Sequence, residues 1–301
     1  MSKQNIVIIT GTGGPLGTGH LQRMLTLASE IDFKGEYDFL IITNNEELIP
    51  SQFRSRAVTT LPEKCSLIIK DMRDSSESEM MELKKKSPVI AVDDTGKGRS
   101  RADYIIDLLP NPVNSLYPQF YKEEFFLYGY NFTREIETAV TKIEEKFIDA
   151  VIYTGADPSA DSISFIRSIL PEKAGAVHLT KNGPSDFFTG NPAYEDLSYG
   201  EILAGSKLLI THFGITLFEG FLSGCILFTV NPSDYHRALT DMVRKKMNIT
   251  DSADLSVKDA KILLQKKIDE SSRKVPSHEE AASAIKKGPE NFYSFIRSLL
   301  N

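Results

Sequence analysis

One stretch of the chain combines residue types and spacing that suit chemistry: Thr10-Gly-Thr-Gly-Gly-Pro-Leu-Gly-Thr-Gly-His20-Leu-Gln-Arg23. An apolar run, Ile6–Ile9, precedes it, and Leu21, Leu25 and Ala28 follow at helical spacing. Strand, glycine-rich turn and helix N-terminus is the layout that presents free backbone N–H groups to phosphate. His20 and Arg23 then fall on the first turn of that helix. A loop that only held phosphate would need neither, so the stretch points to a reaction on a phosphorylated ligand. A neutral imidazole can take a proton from an attacking hydroxyl near neutral pH, which makes His20 the candidate base.

The elements that must position this stretch follow a repeating order. Apolar strand candidates recur at Ile6–Ile9, Phe39–Thr43, Ser66–Ile69, Val89–Val92, Tyr104–Leu108 and Phe125–Tyr128. A second set runs Asp149–Thr154, Gly175–Leu179, Leu208–Thr211 and Ile226–Val230. Helical patterns lie between them, such as Gly19–Ile31 and Ser76–Lys86. Near-continuous apolar strands alternating with helices predict an α/β fold with parallel sheets. The expected organisation is a Rossmann-like half over 1–132, a linker helix over 133–147 capped by Thr133, and a second Rossmann-like half with a helical tail over 148–301. Two such halves predict a ligand in a cleft between them.

Composition narrows the partners. With 301 residues, 41% hydrophobic and 25% charged, the chain suits a soluble globular protein of one large or two ordinary domains. A net charge of −6 without a basic run argues against nucleic acid. Leu208–Val230 carries His212, Glu219 and three glycines, so it does not predict a membrane span. The N-terminus enters a strand directly, with no signal peptide, and the expected location is cytoplasmic. Cys65 and Cys225 sit in apolar runs and read as buried thiols. No His, Cys or Asp cluster has metal-ligand spacing, so neither a metal nor another cofactor is expected.

The glycine turn matches two fingerprints. Thr10-Gly11-x-x-Gly14-x-x-Gly17 fits the nicotinamide loop of short-chain dehydrogenases. Yet the second strand closes on Asn44-Asn45 rather than an acidic residue, and none of the 11 tyrosines has lysine four residues on. The second fingerprint, Gly17-Thr-Gly19-His20-Leu-Gln-Arg23, resembles the Gly-x-Gly-His-x-x-Arg motif of the PseG/SpsG family of nucleotide-sugar hydrolases. These have the GT-B architecture and are related to MurG-type glycosyltransferases. Further resemblances fall in order: Asp71 after the third strand, Val92-Asp93-Asp94 after the fourth, and Pro110-Asn111-Pro112. Leu127-Tyr-Gly129-Tyr130 with Arg134, Thr154-Gly155-Ala156-Asp157, and His212-Phe-Gly214-Ile-Thr216-Leu-Phe-Glu219 follow. Arg134 stands one residue later than in the family, and Ala156 replaces a second glycine.

The resemblance implies hydrolysis of the anomeric C–O bond of a UDP-linked amino or deoxy sugar, in precursor synthesis for surface glycans. His20 would activate water, with Asp94, Asp93 or Asp71 orienting the imidazole or binding sugar hydroxyls. Of these, Asp94 is taken with His20 as catalytic. Gly17, Gly19, Arg23, Asp71 and Asp93 would bind substrate. Gly155, Asp157, His212, Gly214 and Thr216 would hold the nucleotide, and Glu219 would accept its ribose hydroxyls. A glycosyltransferase of the same architecture is the alternative, since an acceptor hydroxyl can use the same base. A non-catalytic nucleotide-sugar binder would not need His20. His178 reads as a satisfied strand-end histidine, and His236 and His278 as surface residues.

Overall fold

The computed structural model describes residues 3–13, 17–110, 123–143, 145–155, 159–180, 183–185, 194, 196–270 and 278–301. The chain divides into two compact units, Met1–Tyr130 with Ala284–Asn301, and Asn131–Ser283.

In the first unit the expected apolar runs form β1 (Asn5–Thr10), β2 (Asp38–Ile42), β3 (Leu67–Asp71), β4 (Val89–Val92) and β5 (Tyr104–Ile106). They make a parallel sheet in the order β2-β1-β3-β4-β5. Its strands are apolar on both sides because both faces are covered. Ile6 and Ile8 enter one core with Leu21, Leu25 and Phe39, while Val7, Ile68 and Val89 enter another with Met80. Helix α1 (Gly19–Lys34) supplies Leu21, Met24, Leu25 and Ala28 to the first core and stops at Gly35, whose φ of +67° closes it. Helix α2 (Glu77–Lys84) starts on Ser76 and covers the other face.

Phe125–Tyr128 is not a strand, although its composition resembles one. Residues Glu123–Phe125 form a short 3-10 turn, and Phe125 stacks on Phe292 with ring centroids 5.7 Å apart. The terminal helix (His278–Leu300) places Phe292, Tyr293 and Ile296 in the same core as β1 and α1. The tail from residue 284 therefore belongs to the first unit, not to the second half.

The second unit opens with α3 (Tyr130–Lys142), which begins before Thr133 rather than being capped by it. Most of α3 lies within this unit rather than forming a separate linker, and Glu135 Oε2 accepts the Gly200 N–H at 3.1 Å. There follow β6 (Ile148–Tyr153), α4 (Ala160–Ile169), β7 (Ala176–Thr180), β8 (Gly183–Ser185), α5 (Tyr199–Gly205), β9 (Ser206–Thr211), α6 (Ile215–Leu222), β10 (Ile226–Thr229), α7 (Asp234–Met247), β11 (Thr250–Asp251) and α8 (Val257–Glu270). The sheet order is β11-β10-β9-β6-β7-β8, parallel except for β8. The short strands β8 and β11 carry too little apolar sequence to be foreseen. Cys225 is buried with its thiol toward the Leu203 carbonyl, whereas Cys65 is only partly buried.

Candidate active site

The sheet order of the first unit decides what meets His20. β3 lies beside β1 with Asp71 opposite Thr10, so the Asp71 carboxylate emerges at the mouth of the glycine turn. The turn is tight: Gly13 and Gly17 have φ of +94° and +59°, and the Gly13 N–H donates to the Gly17 carbonyl at 2.9 Å. It delivers His20 to the second position of α1, where Nδ1 lies 2.6 Å from Asp71 Oδ1. One turn on, Arg23 Nε donates to Asp71 Oδ2 at 2.6 Å, and Nη2 also donates to Oδ1. Arg23 Nη1 lies 2.6 Å from Asp93 Oδ2.

These groups are almost fully buried, and their charges settle the protonation pattern. Burial alone would raise the Asp71 carboxyl, but Arg23 and then His20 outweigh it and hold it at about 2. An ionised carboxylate can only accept, so the Nδ1 facing Asp71 carries a hydrogen, although Arg23 Nη2 also stands 3.1 Å from that nitrogen; in the neutral ring the lone pair is then on Nε2. Burial would likewise lower Arg23, yet Asp71 and Asp93 more than reverse it, and the guanidinium stays charged. Asp93 is pushed up, by burial first and by Asp71 and Asp107, against the pull of Arg23. Its φ of +47° turns the carboxylate so that Oδ1 accepts the N–H groups of Leu108 and Leu109 at 2.9 and 3.1 Å.

Asp94 does not pair with His20. Its Oδ1 accepts from Ser75 N and Gly96 N at 3.1 and 2.8 Å, and its carbonyl accepts from Arg99, which also grips Asp107 through two 2.6 Å bonds. Of the three carboxylates expected as candidates, Asp71 is the one beside His20. Asp94 faces the turn before α2, one strand further from α1. Arg23, expected against substrate, is committed to Asp71 and Asp93.

In the second unit the expected residues gather at the carboxyl ends of β6 and β9. Gly155, with φ of +91°, lies so close to His212 that a Cβ there would stand 3.0 Å from Nε2. His212 Nδ1 is 2.8 Å from the Phe213 carbonyl, which can only accept, so Nε2 is the lone-pair atom on the Gly155 side. Burial lowers the His212 imidazole, and the Phe213 carbonyl opposes that. Gly214 caps α6, Thr216 lies in its first turn, and Glu219 is 2% exposed. Tyr199, at the start of α5, donates its O–H to Glu219 Oε2 at 2.5 Å and stands 3.2 Å from Thr216 Oγ1. Burial and then Glu219 push the Tyr199 phenol well above its usual range. His178 is buried in β7 beside Thr154, its Nε2 3.3 Å from Oγ1, as read from the sequence. His236 is not an isolated surface residue: its ring meets His212 edge-on at 5.4 Å. Asp157, Asn111 and Pro112 lie outside the described residues, as does the His278 side chain.

The helix starts separate α1 and α6 from their neighbours. α2, α4, α5 and α7 each begin on a serine whose Oγ accepts a backbone N–H, with an acidic residue in the first turn. α1 and α6, which follow the two glycine turns, have neither a side-chain cap nor a first-turn acid. Uncapped N–H groups and a positive dipole end make both starts suited to an anion. Among the described residues no cluster of His, Cys, Asp or Glu is placed to hold a metal ion, and no helix is long and apolar enough to cross a membrane.

Solved structures resemble the chain over its whole length. The glycotransferase of kitacinnamycin superposes with a TM-score of 0.63 at 9% identity, covering 100% of both chains. The spinosyn rhamnosyltransferase SpnG complexed with thymidine diphosphate gives 0.59 at 11% identity, covering 99% of this chain and 100% of that one. SnogD, a glycosyltransferase from Streptomyces nogalater, gives 0.57 at 12%, again covering 99% and 100%. The fold is GT-B. No protein-family model matches the chain, and no curated protein matches it in sequence. In GT-B terms, the first unit carries the His20–Asp71–Arg23–Asp93 cluster and the second carries the Gly155, His212 and α6 cluster.

Nothing in the sequence marks Tyr199 as a partner of Glu219 or His236 as a neighbour of His212, and the sequence leaves Asp71, Asp93 and Asp94 open as the partner of His20. Tyr199 carries a faint signal, the capping box Ser198-Tyr-Gly-Glu201, which announces a helix start but not a bond to Glu219.

Proposed function

We propose that the protein is a nucleotide-sugar-dependent enzyme that transfers a sugar from a nucleoside diphosphate to a hydroxyl group. The second unit binds the diphosphate and the first supplies the base. The observation that carries this reading is the His20–Asp71 pair, with 2.6 Å between Nδ1 and Oδ1, on an uncapped helix start; with Nδ1 donating to the carboxylate, the neutral ring would offer Nε2 to a proton. In the reaction the hydroxyl oxygen forms a bond to the anomeric carbon, and its proton goes to His20 Nε2. The bond from that carbon to the phosphate oxygen breaks, and the electron pair leaves with the diphosphate. The uncapped start of α6 would receive that charge, so a strong general acid is not required.

The GT-B glycosyltransferases of similar fold favour an acceptor hydroxyl over water as the nucleophile. A second reading, PseG-like hydrolysis, is favoured by Gly17-Thr-Gly19-His20-Leu-Gln-Arg23. The nucleotide is UDP or, as in the SpnG complex, a thymidine diphosphate. The test is incubation with a panel of UDP- and thymidine-diphosphate-linked sugars, with and without hydroxyl acceptors, following free nucleotide. Release that needs an acceptor supports transfer, and release in water alone supports hydrolysis. No release and no calorimetric binding of either nucleotide would sink both readings.

A further inference from the structure

Two asparagines that no motif singled out occupy matching places in the two units. β1 ends at Thr10 and its neighbour β2 at Ile42. Two residues past each end, Thr12 and Asn44 form a reciprocal pair: Asn44 Oδ1 accepts the Thr12 N–H and Asn44 Nδ2 donates to the Thr12 carbonyl, both at 2.8 Å. β9 ends at Thr211 and its neighbour β10 at Thr229. Two residues past each end, Asn231 Oδ1 accepts the Phe213 N–H at 3.0 Å. Asn231 Nδ2 then donates to Asp251 Oδ2 at 2.7 Å, and Asp251 is itself fixed by the Ala253 N–H at 2.9 Å and the Thr229 hydroxyl at 3.1 Å. The same offsets, the same side chain and the same target, a backbone N–H inside the turn, recur in sequences with no visible repeat.

We infer that Asn231 is a positioning residue for diphosphate, and Asn44 its counterpart for the His20 turn. This rests on the function proposed above. Only an amide serves at 231: one side must accept an N–H and the other must donate to the buried Asp251 carboxylate. By taking the Phe213 N–H, Asn231 fixes the His212–Phe213 peptide in the turn that leads through Gly214 into α6, and the uncapped N–H groups at the start of α6 are then aimed before any ligand arrives. Preorganised donors of this kind strengthen charge binding because nothing has to be ordered on arrival. Asn44 acts in the same way on the loop that carries His20, and so on the chemical step rather than on nucleotide affinity.

The test separates phosphate binding from nucleoside binding. Affinities of uridine, UMP and UDP, and of thymidine and its diphosphate, are measured for the wild type, Asn231→Ala and Asn44→Ala. Asn231→Ala should weaken the diphosphates at least tenfold and leave the nucleosides within twofold. Amide exchange at Phe213 should quicken in the same variant, a readout that needs no ligand. Asn44→Ala should keep diphosphate affinity and lower turnover. A global loss of structure would depress nucleoside and diphosphate alike, and that result overturns the inference. So does an Asn231→Ala variant whose diphosphate affinity is unchanged. A wild type that binds neither diphosphate removes the proposed function, and the inference with it. A wild type that binds while the variants show no such split removes the inference alone.

Discussion

The substitution Asp71→Asn tests the first-unit cluster most severely. Asp71 is fully buried and accepts from three N–H groups, two of Arg23 and one of His20. An asparagine has one acceptor oxygen and one donor amide. If the amide faces Arg23, donor meets donor and a buried guanidinium loses half of its grip on this residue. If the amide faces His20, Nδ1 must accept, the hydrogen moves to Nε2, and the base is lost. A carboxyl held at about 2 instead of 3.8 contributes roughly 2 kcal/mol of stability at neutral pH, and breaking a buried ion pair costs about 3–5 kcal/mol. The expected loss is therefore about 2–4 kcal/mol in urea unfolding at pH 7. The sign with pH follows from the lowered value. Asp71 stabilises the fold fully above about 3.8 and loses that contribution as pH falls towards about 2, so the gap between wild type and variant narrows in acid. Asp93, whose value is raised, works in the opposite sense, costing stability above its unfolded value. Long-range nitrogen–proton NMR of the His20 ring reads the tautomer directly. A variant within about 0.5 kcal/mol of wild type, with the hydrogen still on Nδ1, would refute the reasoning.

The remaining predictions concern turnover and affinity. His20→Asn should lower turnover by roughly 10²–10⁴ at saturating donor, the usual share of a general base. Unaltered turnover would leave the protein without its proposed base. Asp94→Asn should leave turnover within a few-fold, because one amide oxygen can accept both the Ser75 and Gly96 N–H groups; a hundred-fold fall would return Asp94 to the reaction. Glu219→Ala should weaken nucleoside diphosphate binding by about 1.5–3 kcal/mol, the range for a hydrogen bond to a charged group. Calorimetry on the folded variant decides this, and equal affinity would confine Glu219 to its bond with Tyr199.

What could be read from the sequence follows from how local each signal is. The strands β1, β3, β4, β6 and β9 announce themselves because both sheet faces are covered and each carries an unbroken apolar run, such as Ile6–Ile9, Leu67–Ile69 and Leu208–Ile210. Phe125–Tyr128 has the same composition but a different fate, since its packing partner, Phe292, lies far along the chain. The tail could not be assigned to the first unit for the same reason: an amphipathic helix states that it needs a partner, not which one. Tyr199 and Asn231 act through side-chain bonds to residues distant in sequence, Glu219 and Thr216 for the one and Phe213 and Asp251 for the other, and such bonds leave no periodic trace.

The choice among Asp71, Asp93 and Asp94 shows where sequence information stops and topology begins. All three follow apolar strands, and ligands gather at such ends in open α/β sheets. Strand order supplies the rest. β3 is hydrogen-bonded to β1, so a residue closing β3 stands about 4.8 Å from the strand that feeds α1, within direct reach of His20. β4 is one strand further away, and its closing residue is reached from α1 only through the length of an arginine. Arg23 spans that second gap, joining Asp71 to Asp93. The Gly-x-Gly-His-x-x-Arg spacing thus acquires a physical meaning: the histidine meets the carboxylate of the adjacent strand, and the arginine one helical turn later ties that carboxylate to the next.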